Sequence, residues 1–303
     1  MKAVIAGGTG LLGRALGASL AADGWEVVTL TRRPALRSAS DIRQVEWDGL
    51  TPAPGWVAEL AGADALIDLC GASVGTWPWT AATRRTLRTS RLEPRAALVD
   101  ALGSLESGSR PGVFLAASGT DGYVGADAQP ATEDTPSADT FLGRLCRDWE
   151  AEASRAEPLG VRVVHGRMTA VIGARAPVVD RLTLPVRLGI GGRIGAGEQW
   201  FSWVHLEDAV GALRLLLGSA SLSGPVNIAS PGALQQVDVA RALGKILHRP
   251  SFVWTPAKLL QLVLGGQADL VLGSRRVSPA LIEAAGYTFV WTNFEAAARD
   301  ALR

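Results

Sequence analysis

The residues whose types and spacing best suit chemistry are Gly7, Gly8, Thr9, Gly10, Leu11, Leu12 and Gly13, a glycine-rich turn between an apolar run and an amphipathic helical pattern. Glycine at 7 permits a tight turn, at 10 it lets the backbone approach a pyrophosphate, and at 13 it lets the helix pack close to the strand. The helix start then offers free N–H groups and the positive end of a dipole to the phosphates. A ligand-free glycine turn is the plain alternative, and the position after the first strand argues against it. A second cluster, Thr31, Arg32 and Arg33, stands at the end of the second predicted strand. Sites preferring NAD usually carry an acid there for the ribose hydroxyls. A guanidinium instead pairs with the additional phosphate of NADP through a bidentate fork, so the cluster points to NADP(H). Two solvated surface arginines are the bland reading.

These groups need a scaffold, and the first half of the chain supplies the pattern of one. Short β-branched runs predict strands at 3–6, 26–30, 44–47, 65–69, 113–117 and 162–165, and apolar residues at three-and-four spacing predict helices at 11–22, 81–102 and 140–157. Alternation of this kind is that of an α/β, doubly wound parallel-sheet Rossmann domain. After about Gly173 the texture changes to a glycine-rich stretch at 188–197, then helices at 206–217, 237–247, 256–264 and 294–302, with a candidate strand at 226–229 and Asn293 as an N-cap. The expected organisation is an NADP-binding domain at 1–173 and a smaller C-terminal α+β lobe for substrate at 174–303, in series or interleaved with it. The loop at 127–136, rich in Pro, Ala and acids, is the segment expected to be disordered, its acids solvated.

Bulk properties narrow the partners. The 303 residues are 48% hydrophobic, enough for a large core, and 30 Lys plus Arg face 29 Asp plus Glu, so no broad field attracts nucleic acid or an anionic membrane. A small-molecule substrate is the expected partner; oligomeric state is not legible. Cys70 and Cys146 lack metal-ligand spacing, no metal site is expected, and both thiols should be free in a reducing compartment. The N-terminal apolar run is too short for a signal peptide's core, and no stretch approaches the ~20 apolar residues of a membrane span, so a soluble cytoplasmic protein is expected.

Longer motifs extend the reading. The glycine-rich start, Asp68 to Ala72, Thr89 to Arg91, Phe141 and Leu142 through Asp148 to Glu150, Gln199 and Trp200 through Trp203 to His205, and Gly273 to Val277 together resemble one group. It is the atypical extended short-chain dehydrogenase/reductases of the NAD(P)-dependent epimerase family, with a C-terminal domain of unknown function. The resemblance covers essentially the whole chain. It implies a Rossmann fold, NADP binding, contact of Thr31 and Arg32 with the adenosine phosphate, a cofactor lining that includes Leu69, Cys70 and Gly71, and Arg91 reaching the cofactor from the long helix. Asp48 is placed near the adenine. Without the resemblance Arg91 reads as a helix-surface charge, Asp48 as a solvated loop acid, and Leu69 and Cys70 as strand-end packing.

The wider superfamily uses a Ser or Thr with a Tyr-x-x-x-Lys pair, the lysine lowering the phenol's pKa for proton exchange. Ser118 matches the serine position. The pair is missing: the helix that should hold it offers Phe141 with Leu145, or Leu142 with Cys146. Tyr123 stands close after Ser118 and reads either as a proton donor near the nicotinamide or as a loop anchor; Ser118 reads either as catalytic or as a strand-end hydroxyl bonded to backbone. Cys146 beside Arg147 is expected to be an unreactive buried thiol, and His205 to be structural. The glycine-rich stretch with Arg187, Arg193 and Gln199 is either a cover for the substrate pocket or a connecting loop. Two functions follow: an NADP-dependent oxidoreductase or epimerase acting on a small molecule, or a catalytically weak NADP-binding sensor or scaffold.

Overall fold

The computed structural model describes residues 1–34, 42–123 and 129–303. Its strands are β1 (Lys2–Ala6), β2 (Glu26–Thr31), β3 (Arg43–Glu46), β4 (Ala65–Asp68), β5 (Val113–Gly119), β6 (Arg162–Met168), β7 (Ala170–Ile172), β8 (Trp200–Phe201), β9 (Trp203–His205), β10 (Gly224–Ile228) and β11 (Leu234–Gln235). The α-helices are α1 (Leu11–Ala22), α2 (Pro54–Val57), α3 (Ala81–Ser104), α4 (Phe141–Ser154), α5 (Pro177–Arg187), α6 (Leu206–Gly218), α7 (Gln236–Leu247), α8 (Ala257–Leu264), α9 (Asp269–Leu272), α10 (Ala280–Ala284) and α11 (Phe294–Ala301).

Seven strands form one sheet in the order β10-β6-β5-β4-β1-β2-β3, every pair parallel. Strand order reverses between β1 and β4, which opens a crevice outside their carboxyl ends where doubly wound sheets bind ligands. Both faces are covered, so the strands are apolar on both sides. Ala3, Ile5, Ile67, Leu115 and Val164 pack with Leu16 and Leu20 of α1 and Leu213 and Leu216 of α6. Val4, Leu30, Leu66, Phe114 and Val163 pack on the opposite face with Leu98 and Leu102 of α3. Gly224–Ile228, from the half expected to form the smaller lobe, is the edge strand next to β6, so the two halves interleave.

The smaller lobe has its own core, in which Val179 of α5, Val239 and Leu243 of α7, and Phe294, Ala297 and Ala298 of α11 surround Trp203. Two small sheets, β11 with β8 and β7 with β9, complete it. The glycine-rich stretch is pinned: Val253 donates to Gly191, Thr255 to Arg193, and Gly195 back to Thr255. Of the loop expected to be disordered, 127–128 lies outside the described residues. Its continuation is held, because Ala131 donates to Arg276 and accepts from Ser278. Glu133 is not a solvated acid either: its carboxylate accepts the Asn227 N–H at 2.8 Å. Among the described residues no helix is long and apolar enough to cross a membrane, and no cluster of His, Cys, Asp and Glu could hold a metal ion.

Candidate functional site

The glycine turn joins β1 to α1 at the mouth of the crevice. Gly7 sits at φ +76°, and a Cβ there would lie 2.7 Å from the Leu69 carbonyl carbon and 2.9 Å from the Cys70 nitrogen. A Cβ on Gly13 would lie 2.5 Å from the Gly7 oxygen and 2.6 Å from the Gly8 Cα. Those two glycines therefore let strand, turn and helix touch. Gly10 differs: its φ is −73° and the only heavy atom near a Cβ would be the Gly7 oxygen at 3.4 Å. Gly10 is the N-cap of α1, without a side-chain cap and without an acid in the first turn, so the N–H groups that open the helix face outward with their dipole. Leu11 and Leu12 contribute these backbone donors while their side chains pack against the smaller lobe's core and the sheet's core respectively.

Arg32 and Arg33 follow β2, exposed and without an ion-pair partner among the described residues. Buried Thr31 accepts the Arg33 N–H at 3.3 Å, which shapes this turn. Arg32 is close enough to the end of β4 for its charge to act on Cys70. Asp48 is exposed, and one of its oxygens caps its own turn by accepting from Leu50 at 2.8 Å and Thr51 at 2.9 Å; these bonds hold its carboxyl below the usual range.

The end of β4 is set by a buried ion pair that sequence reasoning missed. Asp68 and Arg95 are both fully buried, with Arg95 Nε donating to Asp68 at 2.7 Å. Arg95 also donates to the carbonyls of Trp149 at 2.9 Å and Ala117 at 2.8 Å, so one guanidinium ties β4, β5, α3 and α4 together. The second Asp68 oxygen accepts the Cys70 N–H at 2.9 Å. Burial, and then Asp68, push the Cys70 thiol well up, so it is inert. One helical turn before Arg95, Arg91 stacks on Trp149 at 5.0 Å and lies over Gly71, where a Cβ would meet its guanidinium carbon at 3.1 Å. Both arginines occupy the inner side of α3; a polar residue inside an apolar helical face was the available signal.

Helix α4 carries Phe141, Leu142, Leu145 and Cys146, the residues read at the tyrosine and lysine positions. Leu142, Leu145 and Cys146 are buried, and Phe141 meets Trp79 edge-on at 5.6 Å. Burial pushes the Cys146 thiol up to about 11, with Asp121 and Glu150 adding to the effect. Ser118, at 4% exposure, donates to Glu150 at 2.6 Å rather than to backbone. Glu150 is gripped by Arg167 through Nε at 2.9 Å and Nη2 at 2.8 Å; although burial works against it, that grip and Ser118 hold its carboxyl low. Arg167 also donates to the Tyr123 hydroxyl at 2.9 Å, and Tyr123 donates onward to Asn227 at 2.6 Å. Both hydroxyl protons are thus already donated within the protein. Burial raises the Tyr123 phenol despite Arg167, so it is neutral at pH 7.

His205 caps α6 by accepting the Glu207 N–H at 3.3 Å and stacks on Trp291 at 4.3 Å, a structural role. The residues that the motifs pick out at the glycine turn and the ends of β2 and β4 therefore converge on the crevice. The ones missed, Arg95, Glu150, Arg167 and Asn227, form its buried support.

Comparison with known proteins agrees with this geometry. The family model described as NAD dependent epimerase/dehydratase family matches residues 3–229, and one described as a domain of unknown function, DUF1731, matches residues 255–301. The chain is 31% identical over 299 residues to an epimerase family protein of Staphylococcus haemolyticus, covering 98% of this chain and 97% of that one. It is 33% identical over 290 residues to an epimerase family protein of Mycobacterium leprae, covering 94% and 90%. Among solved structures, human epimerase family protein SDR39U1 (isoform 2) with NADPH superposes with a TM-score of 0.85 at 28% identity, covering 99% of each chain.

Proposed function

We propose that this chain, which belongs to the NAD dependent epimerase/dehydratase family, is an NADP(H)-dependent oxidoreductase or epimerase acting on a small molecule at the carboxyl ends of β4 and β5. The observation that carries the cofactor choice is the pair of exposed guanidinium groups of Arg32 and Arg33 after β2, without an ion-pair partner among the described residues, where an NAD site would hold an acid. The cradle also fits the group: Gly10 leaves open the space a pyrophosphate needs, and the first turn of α1 carries no acid to repel it. The human relative's structure holds NADPH, which supports the same choice.

In this reading Gly7, Gly10, Leu11, Leu12 and Gly13 hold the pyrophosphate, and Thr31, Arg32 and Arg33 hold the adenosine phosphate. Asp48 lies at the adenine side, while Leu69, Cys70, Gly71 and Arg91 line the remainder. Bound NADP(H) supplies hydride exchange. Residues 1–173 carry the cofactor and 174–303 the substrate, with β10 of the latter built into the sheet. Ser118 and Tyr123 act as positioning groups, since their hydroxyls are committed to Glu150 and Asn227.

Calorimetric titration with NADPH and NADH tests the cofactor assignment. NADPH should bind more tightly, and Arg32→Ala should remove most of the difference, because a charge-assisted bond to phosphate contributes about 1.5–3 kcal/mol. Equal affinities in the wild type would defeat it. A specific observation, the buried Leu142 and Cys146 in place of the tyrosine and lysine, favours a second reading as a catalytically weak NADP-binding sensor. Incubation with NADPH and a panel of carbonyl compounds and nucleotide sugars separates the two: turnover of any member supports the enzyme.

A further inference from the structure

We infer that Arg275, seated beside Asp121 at the carboxyl end of β5, takes an anionic oxygen group, carboxylate or phosphate, of the small molecule on which this chain acts; the inference rests on the dinucleotide-dependent reading above. Arg275 belongs to the C-terminal segment that folds back over the crevice. Its backbone N–H donates to Trp200 at 3.1 Å, and its neighbour Arg276 stacks on the Trp200 ring at 4.6 Å. Just before it, Leu270 of α9 packs on the cluster that holds Phe141, Leu142 and Leu145, so this segment closes over the start of α4. Gln267 fastens it by donating to the carbonyls of Val74 at 3.1 Å and Thr76 at 3.3 Å. The guanidinium is therefore held in place by its surroundings.

It is also underused. Among the described residues only its Nη1 finds a hydrogen-bond partner, the Asp269 carbonyl at 3.2 Å, although the side chain is only 14% exposed. The buried Nε–H has no partner among the described residues. Buried donors in folded proteins are nearly always satisfied, and an arginine held with its fork unfilled suits a planar anion that none of the described residues provides. The nearest carboxylate, Asp121, stands 3.8 Å from Nη1, beyond hydrogen-bond length, and is about one-third exposed. It serves as a loose internal counter-ion, which a ligand anion with better geometry would displace.

The location is that of a substrate. Asp121 lies in the turn that leaves β5, and a Cβ on Gly119 would lie 3.9 Å from its Oδ2 and 3.7 Å from Cys146 Sγ. Its charge also acts on Arg91, the guanidinium over Gly71 at the end of β4. Two arginines and one carboxylate thus gather at the carboxyl ends of adjacent strands, one guanidinium in excess, beside Leu142 and Cys146, which fill the place of the missing tyrosine and lysine. The neighbouring Arg95 and Arg167 are already matched by Asp68 and Glu150. Of these arginines, Arg275 is the one with a buried N–H left unfilled among the described residues.

The test uses full-length protein saturated with NADPH and titrated calorimetrically with two probes, malonate for a carboxylate and inorganic phosphate for a phosphate. Wild type should bind at least one saturably, and the probe that binds names the group. Arg275→Gln should weaken that binding roughly tenfold or more, the effect of losing a charge-assisted hydrogen bond, while Asp121→Asn should tighten it several-fold by removing the internal competitor. Arg275→Lys, which retains the charge without the fork, gives an intermediate loss and stands in if the glutamine variant does not fold. Absence of binding to NADPH-loaded wild type, unchanged affinity in both Arg275 variants, or weakening by Asp121→Asn would each overturn the inference. Failure of wild type to take up NADPH would instead overturn the dinucleotide reading.

Discussion

Gly10 and Gly13 belong to one motif yet answer to different masters, and alanine at each position should separate binding from folding. An alanine Cβ at 13 would stand 2.5 Å from the Gly7 oxygen and 2.6 Å from the Gly8 Cα, both backbone atoms, where ordinary contact begins at 3.4 Å. Helix α1 would have to retreat by close to an ångström, dragging Leu16 and Leu20 out of the sheet's core. Overpacking of this kind costs roughly 1–3 kcal/mol, a sizeable part of a domain's ~5–15 kcal/mol. At position 10 the added Cβ meets only the Gly7 oxygen at 3.4 Å, and the backbone, at φ −73° and ψ 174°, suits any residue. Gly10→Ala should therefore cost only about 0.5–1 kcal/mol as a poorer N-cap. Its methyl group would nevertheless hold the phosphate away from the helix N–H groups, each worth about 1.5–3 kcal/mol as a bond to an anion, so NADPH affinity should fall at least roughly tenfold. Thermal melts and calorimetric titration of the two variants decide the matter. A folded Gly10→Ala with wild-type affinity, or a Gly13→Ala as stable as wild type, would refute the reasoning.

Three further outcomes are expected. Arg95→Met takes the cation from the buried Asp68 carboxyl group and strips the Ala117 and Trp149 carbonyls, costing about 3–5 kcal/mol in urea unfolding, and adding Asp68→Leu should recover much of the loss; a single-variant cost below ~1 kcal/mol would contradict it. His165 is buried neutral with its pKa lowered from 6.5 to about 4, so the unfolded chain binds the extra proton between those values. Stability should thus be full above pH 6.5 and fall by up to ~3 kcal/mol as pH drops toward 4, and His165→Asn should flatten that window in pH-dependent denaturation curves. Tyr123→Phe removes the hydroxyl between Arg167 and Asn227 and orphans a buried amide oxygen, so it should cost about 1–3 kcal/mol of stability with NADPH affinity nearly intact; an unchanged melting temperature would show the bond to be idle.

Local pattern made the scaffold legible where local forces decide it. Helix α1 runs over the residues its apolar spacing marks, and the strand cores at 3–6 and 113–117 are continuous apolar runs because both faces of the sheet are covered. Elements decided by distant contacts were not legible. The candidate strand at 226–229 reads as isolated in sequence, and only the pairing of Gly224–Ile228 with β6 shows that it belongs to the main sheet. Helix α5 escaped because Pro177 and Pro185 break its pattern, although Pro177 occupies the first helical turn, where its missing N–H costs nothing. The 188–197 stretch looks loose for its glycines, yet it owes its order to 253–255. The glycine turn between β1 and α1 and the place of Arg32 just after β2 were legible from type and spacing. Asp68, Arg95, Glu150 and Arg167 were not, because each ion's partner lies on another element and a lone charge in sequence reads as solvated.

With Phe141, Leu142, Leu145 and Cys146 on α4, the proposed substrate would meet a different set of charges than a Tyr-x-x-x-Lys pair would give. A lysine would lower a phenol's pKa and keep a cation at the ribose; here burial raises both Tyr123 and Cys146, so each stays neutral at pH 7. Glu150 is ionised but spent on Arg167 and Ser118, and Asp68 on Arg95. Among the described residues, Arg91, Arg275 and Asp121 stand at the ends of β4 and β5, two guanidinium side chains to one carboxyl side chain. Hydride delivery to a carbonyl builds negative charge on its oxygen, and preorganised guanidinium donors are suited to meet it. Alcohol oxidation needs a base instead, and the buried phenol is a poor one. If the proposed NADP(H)-dependent reading holds, an NADPH panel should therefore show turnover of oxo acids or sugar phosphates before neutral alcohols.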